Sequence, residues 1–468
     1  MAKEKRMNVL MVSLPLQGHI NPMLKLAKRL ISKGVHVTIA TTEDARHRLF
    51  RKHDSDASSE IHLEFFPDGL SFDFERNDTN SLINSIESKG RRNLSTLITN
   101  LTKAQDYSCV ITNPFFPWAI DIAAEHGIPC ALLWIQASAV FSIYYRYFKN
   151  IHVFPNLEDP NEKVNFIPGL PTLHVRDLPS FMLPSNPEHF TRLLKHLYQS
   201  LDKVQWVFGT SFFEAEEEIV KSMVSLTRFY PIGPLVSPFL LGETETNGVS
   251  VDMWEAEDSC IEWLSNKPTS SVIYVSFGSV IVLSNKKIKN IATALKNSNK
   301  PFLWVLNPGA ERSNDKEDGA DELAFEILKE TKGKGLVVKW CKQERVLMHP
   351  SVGCFVSHCG WNSTLEALVT GVPMIACPEW TDQPTNSILI SDVFKNGVQA
   401  KSGEDGVISA QELERCIWEV IEGPNAEEVK NRAMEMKDLA RKALQKGGSS
   451  DKHISQFIND MIIQNSHP

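Results

Sequence analysis

The stretch from Trp340 to Gln383 gathers most of the side chains in this chain that suit a polar, charged small molecule. Cys354-Phe355-Val356 reads as a short buried strand. It runs into Ser357-His358-Cys359-Gly360-Trp361-Asn362-Ser363-Thr364, after which Leu365, Ala367 and Leu368, with Glu366 among them, read as a helix. A strand, a glycine turn and a helix opened by Asn and Ser present unpaired backbone N–H groups and a positive dipole end, which is an anion site. Residues 372–377 form the next strand and deliver Trp380, Asp382 and Gln383 to its carboxyl edge, where open α/β sheets hold ligands. Far upstream, His19 follows Gly18 directly after the first apolar run. An imidazole with a pKa near ~6.5 is suited to general-base work.

The elements that must position these residues alternate between strand and helix. Residues 8–14 read as a strand, 21–32 as a helix, and 35–41 as a strand entered through Gly34. Further short apolar strands fall at 109–112 and 130–134, separated by a helix at 118–125, and 206–210 leads into an acidic helix at 213–221. Such alternation predicts a mostly parallel sheet covered on both faces. The Pro-rich stretch 154–187 reads as irregular, a place where a small-molecule pocket is lined. From Pro231 onward, and above all in GETETNG at 242–248, periodicity is lost and a linker is expected. The pattern restarts with strands at 272–277 and 302–306 around a helix at 286–296. An acidic, solvated loop follows at 309–320, and charged helices at 426–445 and 449–464 end the chain.

A chain of 468 residues exceeds what one core supports, since single cores stop growing near ~250–300 residues. Two domains are expected: residues 1–241, a linker at 242–255, residues 256–445, and a final helix at 446–468. The net charge of −8 without a basic tract excludes nucleic acid and anionic membrane surfaces as natural partners. Eight scattered cysteines without a CxxC fit reduced thiols and a cytoplasmic location. The apolar run at 8–14 behind Lys3, Lys5 and Arg6 is too short for a signal peptide and reads as a first strand. No apolar run approaches the roughly 18 residues of a membrane helix, so the sequons at Asn77, Asn93, Asn100 and Asn362 are read as chance. Asp54-Ser55-Asp56 imitates a metal-binding DxD, but its polar surroundings mark a solvated loop. His349, Cys354, His358 and Cys359 have no usual zinc spacing. Neither GxGxxG nor GxxxxGK[ST] occurs, which speaks against nicotinamide and P-loop chemistry.

The Trp340-to-Gln383 stretch, with HCGWNST at its centre, resembles the donor-binding signature of plant secondary-product glycosyltransferases that use UDP-sugars. The resemblance runs from PLQGHINP to the C-terminal helices. It implies an α/β, GT-B architecture of two Rossmann-like domains, with an acceptor domain first and a donor domain second, and the last helix packed back on the first. It also implies Trp340 stacked on uracil beside Cys341, Gln343 at the base or ribose edge, and Glu366 on the ribose hydroxyls. His358, Gly360, Asn362, Ser363 and the SFGS turn at Ser279 would meet the pyrophosphate. Trp361, Trp380, Asp382 and Gln383 would meet the sugar, and a terminal Gln resembles the glucose-using members. No metal and no cofactor besides UDP-glucose as co-substrate is implied. The partners would be the UDP-sugar and a small aromatic acceptor, and the protein a monomer.

In the family the histidine matching His19 takes a proton from the acceptor hydroxyl, and the acceptor displaces UDP with inversion. Most relatives orient that histidine with an Asp, but the matching position in ITNPFFPWAID is Asn113, and Asp121 lies eight residues beyond. In the serine-protease triad an Asp-to-Asn change costs about 10⁴ in turnover. A phenol with pKa ~10 needs a base at pH 7, whereas a carboxylic acid with pKa ~4 is already an anion. NPFFPWAIDIA and LLWIQASAVFSIYYRY also resemble the branch that makes glucose esters of benzoic and hydroxycinnamic acids. Acidic acceptors are therefore expected, either aromatic carboxylates or acidic polyphenols. C-glucosylation of an electron-rich ring and a non-catalytic nucleotide-sugar-binding protein are the alternatives. Phe115, Phe116 and Trp118, with Phe141, Tyr144 and Tyr145, are candidates for an aromatic acceptor wall.

Overall fold

The structure, a computed structural model, describes residues 7–48, 61–74, 78–242, 259–306, 326, 329–331 and 333–466. Asp54-Ser55-Asp56, Asn77, most of the expected linker and the acidic loop at 309–320 lie outside the described residues. The described chain divides into two compact units, one reaching to Ser237 and resuming at Lys442, the other running from Pro238 to Arg441.

The first unit is built on strands β1 (Asn8–Val12), β2 (His36–Thr42), β3 (Ile61–Phe66), β4 (Cys109–Thr112) and β5 (Cys130–Trp134). A two-stranded antiparallel hairpin, β6 (Lys163–Val164) and β7 (Leu173–His174), interrupts before β8 (Trp206–Gly209) and β9 (Phe229–Pro231). The parallel sheet runs β3-β2-β1-β4-β5-β8-β9. Its central strands are uninterrupted apolar runs because helices cover both faces. Chain order reverses between β1 and β4, where Val12 lies opposite Thr112, so the segments leaving both strands open at one edge.

The helix Gln17–Ile31 begins earlier than the expected 21–32, so His19 sits in its first turn and not in a loop. Ile20, Met23, Leu24, Ala27 and Leu30 form its buried face. The last helix, Ser449–Ser466, belongs to this same unit: Ile454, Phe457, Ile458 and Met461 enter its core. The Phe457 ring lies 5.1 Å from Trp206 and 4.8 Å from Phe208, and Trp206 Nε1 donates to Asp460 Oδ2 at 3.0 Å. Residues 154–187 carry only the small hairpin and 3-10 turns. β3 and the helices Thr79–Ser85, Arg91–Ala104, Ser138–Phe148 and Glu188–Ser200 were not foreseen.

In the second unit, β10 (Val272–Ser276), β11 (Phe302–Val305), β12 (Gly335–Val338), β13 (Val352–Ser357), β14 (Met374–Ala376) and β15 (Gly397–Gln399) form a parallel sheet in the order β12-β11-β10-β13-β14-β15. Alternate residues feed its two cores: Ile273, Val275, Trp304, Val356 and Ile375 on one face, Val272, Tyr274, Leu303, Phe355 and Met374 on the other. The register is the key to the site. Val338 lies opposite Val305, Val305 opposite Ser276, Ser276 opposite Ser357, Ser357 opposite Ala376, and Ala376 opposite Gln399. Six strands end on a single rung, and the chain reverses direction between β10 and β13.

Candidate active site

Every turn that carries a candidate donor residue leaves from that rung. Trp340 and Cys341 follow β12, Gly278 and Ser279 follow β10, His358 to Gly360 follow β13, and Trp380 to Gln383 follow β14. The helix Trp361–Thr370 starts at once, with Gly360 as its N-cap, so no cap side chain competes for its first N–H groups. Gly360 is required there. A Cβ on it would fall 2.4 Å from His358 Nε2, and one on Gly278, at φ +76°, would fall 2.8 Å from His358 Cε1. The half-buried imidazole is thus held between two glycine turns. Burial lowers its pKa from 6.5 to about 4, with the Ser276 backbone opposing the fall, and the ring is neutral at pH 7.

Gln343 joins three elements. Its Nε2 donates to Ser363 Oγ at 2.9 Å and to Glu366 Oε2 at 2.7 Å, while Oε1 accepts from Tyr274 Oη at 3.2 Å. Ser363 Oγ thus accepts from Gln343 and keeps its own proton to donate. Trp340 is half-buried against the core, and Cys341 is buried beside Tyr274. Across the edge, Gln383 is buried, and its Oε1 accepts from the N–H groups of Glu379 and Trp380 at 2.9 and 3.1 Å. Asp382 is buried, with Thr381 Oγ1 and Asn386 Nδ2 each donating to it at 2.8 Å. Asn386 also ties to the Cys359 carbonyl at 2.8 Å, bracing the Asp382 turn against the β13 turn. Lys287, in the helix Asn285–Ser298 after β10, pairs with Glu379 in the turn after β14. Trp361 is buried, Asn362 half-buried, and Trp380 36% exposed. Tyr274 and Asn386 escaped sequence reasoning; Asn386, four residues after Asp382 on a helix, carried a signal in its spacing.

In the first unit, His19 and Asn113 meet at the reversal between β1 and β4. The half-buried His19 ring stands edge-on to Phe115, centroids 4.4 Å apart at 77°. Burial lowers its pKa from 6.5 to about 4, and the Asn113 amide partly offsets this. Nδ1 is buried and has no partner in hydrogen-bonding geometry. Asn113 is itself fully buried. Its Nδ2 donates to Ser13 Oγ at 3.0 Å, and its Oδ1 accepts from Phe115 N–H at 3.1 Å. Asp121 is engaged elsewhere, accepting from Lys203 at 2.6 Å and bonded to His196 at 2.9 Å. Burial opposes its ionisation, but these two partners outweigh that and hold its pKa low.

The aromatic wall needs correction. Phe116, Trp118, Phe141 and Tyr144 are almost wholly buried, and Tyr145 spends its hydroxyl on the Leu226 carbonyl at 2.8 Å. Phe141, Tyr144 and Tyr145 cluster with Trp134 and Tyr198 as ordinary core, so they offer a ligand no surface. Phe115 alone of the set is half-buried and beside His19. Behind it stand Phe181 and Phe190, stacked at 4.5 Å and 9°, which the sequence reading did not single out.

A glycine-capped helix at a sheet's topological switch point is where an α/β protein holds a phosphate-bearing ligand. The comparisons agree. A family model described as "UDP-glucoronosyl and UDP-glucosyl transferase" matches residues 187–443, and the chain belongs to that family. It is 46% identical over 455 residues to UDP-glycosyltransferase 84B2 of Arabidopsis thaliana, covering 97% of this chain and 100% of that one. It is 38% identical to the gallate 1-beta-glucosyltransferase of Quercus robur, covering 98% and 91%. The crystal structure of Os79 from O. sativa in complex with UDP superposes with a TM-score of 0.86 at 30% identity, over 97% of this chain and 100% of that chain. The protein is a UDP-sugar-dependent glycosyltransferase of the plant secondary-product group, near the branch that forms glucose esters. No described helix is long and apolar enough to cross a membrane.

Proposed function

We propose that this enzyme transfers glucose from UDP-glucose to a small aromatic acid or acidic phenol with inversion, His19 serving as general base when the acceptor carries a proton. The second unit binds the donor: uracil on Trp340, ribose at Gln343 and Glu366, pyrophosphate at the start of the helix Trp361–Thr370 and the Ser279 turn, and glucose at Asp382 and Gln383. The acceptor oxygen attacks the anomeric carbon, and the bond to the phosphate oxygen breaks with its electron pair leaving on UDP. The helix dipole and turn N–H groups favour that charge, which supports a metal-independent reaction. The first unit, with its C-terminal helix, binds the acceptor against Phe115. Eight free, buried cysteines support a reducing, cytoplasmic setting.

The observation that carries the preference for acids is the His19–Asn113 pair. A base with its pKa lowered to about 4 and no carboxylate partner is poorly matched to a phenol near ~10, while a carboxylate needs no deprotonation at pH 7. The test is a panel of benzoic acids, hydroxycinnamic acids and phenols with UDP-glucose, read by UDP release and product mass. Alkali-labile ester products are expected to dominate. Release of UDP with phenols alone would overturn the reading.

A further inference from the structure

Asn113 replaces a carboxylate at a position where the direction of a side-chain amide decides whether His19 works. An amide can face an imidazole with either end. Its oxygen accepts from Nδ1–H and leaves the Nε2 lone pair ready to take a proton. Its NH₂ donates to Nδ1, drives the proton to Nε2 and disables the base, which is the wrong-tautomer defect known for Asp-to-Asn changes.

Two bonds fix the amide here. Phe115 N–H is a backbone group that can only donate, so the atom it meets at 3.1 Å must be Oδ1. On the other side, Ser13 Oγ donates its single proton to the Leu14 carbonyl at 3.1 Å, so toward Asn113 it can only accept, and it takes Nδ2–H at 3.0 Å. Rotating the amide by half a turn would set NH₂ against N–H and oxygen against a hydroxyl lone pair, all of it buried. The carbonyl oxygen keeps a second lone pair. The neighbouring His19 Nδ1 is buried and makes no hydrogen bond of its own, and Asn113 pulls that ring's pKa upward, as an acceptor does.

We infer that Ser13 is a positioning residue for catalysis: with Phe115 N–H it locks the Asn113 amide so that its oxygen faces His19, holding the imidazole as the Nδ1–H tautomer. The inference rests on His19 being the base. It gives the enzyme residual base catalysis toward protonated acceptors despite the missing carboxylate.

The direct test is ¹⁵N NMR of the full chain labelled at histidine, with the His19 signals assigned by their loss in His19→Gln. The expected pattern is a protonated Nδ1 and a bare Nε2 in the unsubstituted enzyme; a protonated Nε2 overturns the lock whatever the variants do. In Ser13→Ala, the ratio of phenol to carboxylate turnover should fall about 10-fold, a fraction of what a general base supplies. KM for UDP-glucose should hold, and Ser13→Thr should restore the ratio. A purely structural Ser13 would lower both turnovers together and leave the ratio unchanged, which overturns the proposal. His19→Ala separates the two claims. If it spares phenol turnover, the base assignment itself fails; if it abolishes that turnover while Ser13→Ala leaves the ratio intact, only the lock fails.

Discussion

Gln343 and Glu366 are hydrogen-bonded at 2.7 Å although they belong to different helices, one following β12 and the other following β13. In the proposed donor pose the bond joins the base-side and ribose-side contacts, and Tyr274 fixes the amide from the sheet. Glu366→Ala should therefore weaken UDP binding by about 1.5–3 kcal/mol, the range for hydrogen bonds to a charged group. Glu366→Gln should lose less, because an amide oxygen can still accept from Gln343. Titration calorimetry with UDP decides it, and unchanged affinity in Glu366→Ala would remove Glu366 from the donor site.

Trp340 is half-buried, with Nε1 buried and unpartnered. Stacking of a base on an aromatic ring is worth about 1–3 kcal/mol. Trp340→Ala should raise the Kd for UDP accordingly, and Trp340→Phe should keep more of the affinity than Trp340→Leu. Equal losses in the Phe and Leu variants would show that the ring face is not what uracil meets.

His19 and His358 each have a pKa lowered from 6.5 to about 4 in the folded protein. Between those values the unfolded chain binds more protons than the folded one, so stability rises with pH from 4 to 6.5 and is flat above. Urea midpoints should fall as the pH drops through that window. The acid limb of kcat/KM for a phenol acceptor should likewise lie well below 6.5. A limb at 6.5 or above would contradict the burial assigned to His19.

Asn113→Asp places a negative charge beside His19, and an opposite charge that near shifts a pKa by about 1–3 units, upward for an imidazole. Phenol turnover should increase relative to carboxylate turnover, and the acid limb should move to higher pH. The substitution also asks Ser13 to turn its proton away from Leu14, so a modest loss of Tm is expected. An unchanged phenol-to-carboxylate ratio would dissolve the link between Asn113 and acceptor choice.

Phe457 anchors the final helix against Trp206 and Phe208. Phe457→Ala should destabilise the first unit by about 3–5 kcal/mol, seen as a separate early transition in denaturant while UDP affinity stays unchanged.

The donor turns were legible in the sequence because a strand, a glycine and a helix leave a local signature, and the boundaries of β4, β5 and the helix Trp118–Glu125 fell where the apolar runs ended. The start of the helix Gln17–Ile31 was not, since Pro22 reads as a helix opener although it lies inside the helix. The helices Thr79–Ser85 and Arg91–Ala104 were missed because their outer faces are almost entirely polar. The aromatic wall failed for another reason: Phe115 and Phe116 are adjacent and chemically identical, and only the fold sends one toward His19 and the other into the core. Supporting contacts such as Ser13 to Asn113 span 100 residues, beyond any local pattern.

The common stopping point of the six strands in the second unit leaves each donor loop rooted in its own strand end and braced by a few side chains. In the proposed donor pose, uracil, phosphate and hexose are thereby read by separate inserts on a shared platform. A lineage could then trade one sugar for another by altering the β14 insert alone, without relearning how to hold the nucleotide.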